Sequence, residues 1–498
     1  MLGRARVQTT FGANHAYLCA NVVEENQCSM YDCRMRNATL NVPIAALTCV
    51  GLVTTSCLAQ CEPERIVSPS AEARDFGFGV GMTERHLIVG DRHDWSLCPT
   101  NPECSNGWAH AYRRTPDGGW EWAQDLVPAS LAPGFAFGSA VVLDGDRAIV
   151  TASLSTAGPG LGVPYVFDFD GERWVETGAL FPPDARGIHG ERLALHGDTA
   201  IVGKAGSRVL VYHKQGDDWA VTHDLFNEDA IGTRSDFGWG FDLNDEWIVI
   251  GSPLERTIAG NGGAAYVYER LSGGDLRLVQ KLLAPDVLEG PRFGYSVAID
   301  GDTLAIGGIN SDSPATAQGA VYIYERNDGH LQTDGPWRLA QTVTHADGGP
   351  GDQLGVSLAL SGDLLAVGSI RVRTAMSGGA AYLFQRGIDG RWQQVADLLP
   401  AELRVEFGYR MAMADGMVAI GAADTPIDGL DRGAVDIFDL SCFVCVADLD
   451  LDGTLTIFDF LAFANLFQDG DAQADFDGDG ELTIFDFLAF QTAFDAGC

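Results

Sequence analysis

Lysine is nearly missing from this chain. Of its 32 basic residues only Lys204, Lys214 and Lys281 are lysine, against 68 acidic residues, and the formal net charge is −36. That balance excludes nucleic acid as a partner, because phosphate binding needs clustered cations. An acidic, lysine-poor surface suits a saline or calcium-containing exterior, although a GC-rich genome produces the same bias toward arginine. Recognisable catalytic motifs are missing too. There is no H-E-x-x-H, no G-x-S-x-G and no metal-spaced Cys/His cluster, and the ten histidines are scattered. His196 sits in "HGD", where a solvated turn residue is the simpler reading. No catalytic residue is assigned, and the chain is read as not an enzyme.

What is present is length, glycine and repetition. The 498 residues, 46% hydrophobic with 61 glycines, are enough for two or more domains with many tight turns. From Met35 one basic residue, an apolar stretch (Asn41–Val53) and small residues before Ala59 read as a signal peptide over 35–59. A short buried helix is the alternative. Residues 1–34 then read as an extension upstream of the true start. "TTSC" and "LAQC" lack the residues a lipid-anchored cysteine needs, so a secreted, unanchored product is expected. Removing 1–59 leaves Cys61, Cys98, Cys104, Cys442, Cys445 and Cys498, an even set that reads as disulfides in an exported chain.

Self-comparison finds seven copies of one unit of about 55 residues between 60 and 441. The clearest runs "RFGYSVAIDGDTLAIGGINSD" (Arg292–Asp312), then "QGAVYIYERNDG" and "PWRLAQTVTHADGG". The anchor is an apolar residue and a glycine: Phe76-Gly77, Phe137-Gly138, Phe237-Gly238, Phe293-Gly294, Leu354-Gly355 and Phe407-Gly408. A degenerate copy at His189-Gly190 fits the interval, so the glycines fall 61, 52, 48, 56, 61 and 53 residues apart. Each unit divides into four strands with "GD" or "DG" hairpins, since Gly and Asp tolerate positive φ. Seven such units predict a mainly β fold, a seven-bladed β-propeller. The seventh copy lacks a fourth strand before Cys442, while "ERIVSPS" (Glu64–Ser70) stands alone ahead of the first anchor. The N-terminal strand is therefore predicted to complete the last blade. The order "FG", GD hairpin, "IG", "GAVYIY" resembles the FG-GAP repeat of integrin α-subunit propellers and their bacterial relatives. That family often carries a calcium loop between the second and third strands; "SPLERTIAGNGG", "INSDSPATAQG" and "IRVRTAMSGG" hold too few carboxylates for one.

The segment 442–498 is a separate small module. "DLDLDGTLTIFDFLAFANLF" from Asp448 recurs 27 residues later as "DFDGDGELTIFDFLAFQTAF" from Asp475. Asp448, Asp450, Asp452, Thr456 and Asp459 occupy loop positions 1, 3, 5, 9 and 12, and Asp475, Asp477, Asp479, Thr483 and Asp486 do the same. Gly453 and Gly480 stand at position 6, and Thr454 and Glu481 offer the position-7 carbonyls. This spacing gathers oxygen ligands round one calcium ion, as in an EF-hand loop, so two ions are predicted. Asp instead of Glu at position 12, one helix per loop and the terminal "DAGC" resemble a type I-like, GC-type dockerin. The resemblance implies a cohesin-like or surface-anchoring partner read by loop positions 10 and 11: Ile457, Phe458, Ile484 and Phe485. Both helices are apolar nearly all round, more than two short helices can bury in each other.

Together these readings predict an extracellular or cell-surface binding protein. Its propeller would recognise a glycan or protein, and its calcium-dependent tail would dock it. The alternative is an extracellular enzyme acting on polysaccharide, tethered by the same tail. Cys61 precedes the lone N-terminal strand and Cys442 follows its expected neighbour, so a Cys61–Cys442 link would replace the missing hairpin. Cys98–Cys104 then staples a loop and Cys445–Cys498 clasps the tail; the competing pairing exchanges Cys442 and Cys445.

Overall fold

The computed structural model describes residues 62–496 apart from short stretches, the longest being 94–106. The expected extension (1–34) and signal peptide (35–59) lie outside the described residues. The described chain forms seven four-stranded antiparallel sheets, followed by two short helices. Blade five shows the pattern: Phe293–Asp300, Thr303–Gly308, Ala320–Arg326 and Trp337–Val343 pair in chain order. Asp300 pairs with Thr303 across a two-residue turn whose first residue, Gly301, has φ 51°, as the predicted hairpin requires.

The anchor motif has two jobs. Its apolar residue is core: Phe76, Phe137, Phe293, Leu354 and Phe407 are all fully buried. Each such side chain contributes roughly 1.5–3 kcal/mol of burial. Its glycine makes the contact between blades. The glycine late in the second strand packs on the anchor glycine of the next blade: Gly90 on Gly138, Gly251 on Gly294, Gly307 on Gly355 and Gly368 on Gly408. A Cβ there would run into the neighbour's backbone carbonyl. Gly421 packs in the same way on Gly77, which joins the last blade to the first. In blade two the equivalent place is held by Thr151, and it abuts Gly190 of the degenerate third copy.

The ring closes as the strand count predicts. Glu64–Ile66 pairs antiparallel with Ala434–Asp439, as the outer strand of blade seven. Arg65 lies opposite Asp436 and donates from Nε to Oδ1 at 2.7 Å and from Nη2 to Oδ2 at 3.0 Å. The outer strands are also tied from blade to blade by side-chain clasps absent from the sequence reading. Gln124 donates to the Trp174 carbonyl and accepts from its N–H, both at 2.9 Å. Gln280 and Trp337 repeat this, as do Gln341 and Trp392. At the seam Glu64 takes the glutamine's place and accepts from Trp120 N at 3.1 Å.

After a short 3-10 turn at Leu440–Cys442 come helices α1 (Ile457–Asp469) and α2 (Ile484–Ala496). Phe463 and Phe490 stack at 4.4 Å with planes 3° apart, and Phe460 meets Phe487 edge-on at 5.6 Å. Each pair joins equivalent positions of the two copies, so the module is built about a local two-fold. Among the described residues no helix is long and apolar enough to cross a membrane.

Candidate functional site

Each acidic loop ends in an aspartate that performs two tasks. Asp459 accepts from Leu449 N (2.9 Å) and Asp450 N (3.3 Å) with one oxygen, and from Thr456 N (2.8 Å) with the other. The first pair folds the loop back on the helix; the last completes a capping box in which Thr456 Oγ1 accepts from Phe458 N at 3.1 Å. Asp486 repeats this with Asp477 N (3.3 Å) and Thr483 N (2.7 Å), and Thr483 Oγ1 accepts from Phe485 N. Both aspartates are fully buried. A carboxylate one methylene shorter than glutamate suits this position because it lies so close to the helix start.

The remaining loop residues turn inward. Asp452 N donates to Asp448 and Asp450, both at 3.2 Å, and Thr454 N to Asp452 at 2.8 Å. In the second loop Asp479 N donates to Asp477 at 3.2 Å, Gly480 N to Asp475 at 2.8 Å and Glu481 N to Asp479 at 2.8 Å. Carboxylate oxygens of Asp448, Asp450 and Asp452 gather within 4.8 Å of one another, as do those of Asp475, Asp477 and Asp486. The structure thus brings together three of the expected ligands in each loop, although not the same three. The hydroxyls of Thr456 and Thr483 serve the helix ends, and Gly453 lies outside the described residues. Crowding shows in the acidities. Loss of hydration, and then the charges of Asp479, Asp486 and Asp475, push Asp477 up. Backbone donation from Thr483, first of all, holds Asp486 down. An all-oxygen set of this kind suits a hard cation such as calcium.

The docking residues expected from sequence are the most exposed apolar side chains of the module. Ile457, Phe458, Ile484 and Phe485 are 62%, 65%, 63% and 62% exposed. Leu461 and Leu488, one turn further on, are also exposed, and sequence reasoning did not single them out. The result is the same triad twice, related by the local two-fold. The module's other side meets the propeller at blade six. Gln473 donates to Asp363 at 3.1 Å, and a cavity of about 310 Å³ is shared by Arg386, Gly387 and Ile388 with Asp448, Leu451 and Asp475. All three expected disulfides include a cysteine outside the described residues (Cys61, Cys98, Cys104 or Cys498); Cys445 does take part in a disulfide.

A second concave feature lies on the propeller axis. It encloses about 180 Å³ and is lined mainly by the residues two and three places after each anchor glycine, a pair from every blade. None of its lining residues is Asp, Glu or His.

Comparison with known proteins bears on the propeller alone. The FG-GAP repeat family model matches residues 276–324 and 337–384. Each match begins on the outer strand of one blade and runs through three strands of the next, the same stagger that leaves Glu64–Ile66 to complete the ring. No curated protein matches the chain. A chain in a crystal structure of the mitotic checkpoint complex is similar over 82% of this chain and 99% of its own, at 11% identity and a TM-score of 0.45, a likeness that decides nothing. The chain carries FG-GAP repeats folded into a seven-bladed β-propeller.

Proposed function

We propose that this is a secreted, non-catalytic binding protein: the propeller recognises a glycan or protein, and a calcium-dependent, dockerin-like tail docks it on a cohesin-like or surface-anchoring protein. The observation that carries the reading is the duplicated triad, Ile457, Phe458 and Leu461 with Ile484, Phe485 and Leu488, exposed beside two acidic loops. Six large apolar side chains in water on so small a module imply a partner. Asp448, Asp450, Asp452, Asp459 and the Thr454 carbonyl would hold one calcium ion. Asp475, Asp477, Asp479, Asp486 and the Glu481 carbonyl would hold the second, with Thr456 and Thr483 at position 9.

Segment 442–498 has twelve acidic residues and no Lys or Arg, so bound cations would relieve its self-repulsion and shape both triads. The propeller needs no metal in this reading. We further propose Cys98–Cys104 and a link from Cys445 to Cys61 or to Cys498, which peptide mapping without reduction tests; Cys61 linked to Cys98 would refute the set. The function is tested by calorimetric titration of the full chain with calcium. Two ions bound, with helix content falling on chelation, is the expected result. No calcium binding, or an unchanged spectrum in chelator, sinks the tail reading.

A further inference from the structure

Two departures from the repeats touch one another. In blade after blade a residue at the end of the third strand donates to a carbonyl of the first hairpin, as Phe169 does to Asp146, Arg326 to Asp302 and Arg386 to Asp363. The residue that follows, at the turn into the outer strand, is Thr115, Asp170, Gln215, Leu271 or Asn327 in five blades, each half-buried or exposed. In blade six it is Gly387, and it is buried. Its φ lies outside the left-handed region, so the turn itself does not call for glycine. Leu451 of the tail packs there: a Cβ on Gly387 would lie 3.3 Å from Leu451 Cδ1 and 3.6 Å from its Cγ. Leu451 is itself exceptional. It stands at position 4 of the first acidic loop, where the second loop has Gly478, and it adopts φ 55°. That left-handed conformation is unfavourable for leucine and open to glycine. The blade lacks a side chain where the loop has an unexpected one, as a hole and its knob would.

A second contact follows the same logic. In blade five Asp302 takes its own blade's Arg326 at 3.3 Å. The equivalent Asp363 accepts from Gln473 of the tail at 3.1 Å, while Arg386 pairs with Glu325 of blade five at 2.8 Å. The chain also enters the tail from a fixed point, since Phe443 and Val444 pack on the core shared by blades six and seven. Yet one knob and one hydrogen bond beside a cavity of about 310 Å³ make a slight contact. The tail's twelve acidic residues oppose it, because the rest of the chain is acidic too. Leu451 lies between Asp450 and Asp452, two of the residues that would hold calcium, and Asp448 and Asp475 line the cavity. Whatever orders this loop orders the knob, and added positive charge relieves the repulsion. We infer that the turn of blade six at Gly387 is a calcium-linked seat for the tail. With the first loop loaded, Leu451 sits against Gly387 and the propeller is carried in one orientation; without calcium the tail leaves the seat. The inference rests on the calcium reading of the tail.

The test follows hydrogen exchange by mass spectrometry in the full chain, in calcium and in chelator, with a calorimetric calcium titration beside it. Exchange is read at the blade-six turn, where Gly387 N donates to the Arg391 carbonyl, and at the matching Asp170–Arg173 turn of blade two as control. The blade-six turn is expected to exchange more slowly in calcium, and the control alike in both. Leu451→Gly, which gives the first loop the residue of the second, should erase the difference without disturbing the loop. Gly387→Asn, which gives blade six the residue of blade five, fills the hole from the propeller side and alters no ion ligand. It should erase the difference too and, because coupling is reciprocal, weaken one of the two calcium sites roughly fivefold to a hundredfold. Circular dichroism and melting show whether each variant is folded, and the unaltered chain reports on the linkage without any variant. Equal exchange in calcium and chelator, with two ions bound, overturns the inference and leaves the calcium reading standing. Protection that survives both variants, or calcium affinities unchanged by Gly387→Asn, also overturns it. No bound calcium overturns this inference and the tail reading together.

Discussion

The ring is held shut by three residues of the first described strand, and Arg65→Met tests how strongly. Asp436, its partner, is fully buried, and the Arg65 side chain is 27% exposed. Removing the guanidinium leaves a carboxylate in the sheet without its two charge-assisted bonds. Breaking a buried pair from one side costs about 3–5 kcal/mol, because the remaining charge stays desolvated. Against a total of roughly 5–15 kcal/mol for a native fold, that is a large fraction. Urea unfolding followed by tryptophan fluorescence reads it directly, Trp120 being tied to the same strand through Glu64. The double variant Arg65→Met/Asp436→Leu should recover most of the loss, since a well-packed apolar pair replaces a buried ion pair at little cost. If Arg65→Met costs less than about 1 kcal/mol, the range of exposed pairs, the strand does not close the ring.

Three further outcomes follow from single sites. Gly421→Ala sets a Cβ against the Gly77 carbonyl at the blade-seven to blade-one junction and should lower stability by about 1–3 kcal/mol or more in thermal melting; an unchanged melting temperature would show that blades slide freely there. Asp486→Ala removes both the loop fold-back and the α2 cap, so calorimetry should find one calcium ion in place of two, with about 0.5–2 kcal/mol of helix stability lost; two ions retained would exclude it as a ligand. Burial pushes the Asp242 carboxyl up to about 6 from 3.8, against hydrogen bonds from Ile299 N and Leu243 N. The folded chain therefore binds this proton more tightly than the unfolded one, and the stability it contributes, present below about pH 4, is lost as pH rises through 6. Relative to wild type, Asp242→Asn should gain up to about 3 kcal/mol between pH 4 and 7, less to the extent that water reaches the carboxylate; a pH-independent difference refutes this.

The propeller was legible because its two requirements are local. A buried apolar residue followed by a glycine packed on the preceding blade recurs in six copies, and the interval exposed the seventh at Gly190. The reason for that copy's decay is not local: its neighbour Thr151 replaces the usual glycine. The clasps of Gln124, Gln280 and Gln341 escaped notice for the same reason, since each joins residues about 50 apart and no periodicity links a glutamine to its tryptophan. Arg192 and Arg410 share one cavity only because the ring brings blades three and seven to the axis; aligning the copies on the anchor glycine would have placed both in one column. In the tail the ligand spacing was legible, being written within twelve residues. The inward face was not, because a helix apolar on every side has no preferred direction. Phe463 is core and Leu461 is surface for a reason visible only once the two copies stack.

That stacking bears on the docking face. Because Phe463 meets Phe490 and Phe460 meets Phe487, the two-fold makes the triads equivalent, and a partner that fits one fits the other. Phe458→Ser alone should therefore weaken capture only about twofold, the statistical weight of one face in two. Phe485→Ser should do the same, while the double variant should abolish capture from extract in calcium. Calcium affinity should hardly move: both rings are well exposed, and only their backbone N–H groups engage the loops, through Thr456 and Thr483. Calorimetry on the double variant separates the two roles. If partner capture survives in it, docking lies elsewhere, and the blade-six side of the module becomes the surface to examine. If one single change alone abolishes capture, the two-fold is not functional and the partner reads one copy.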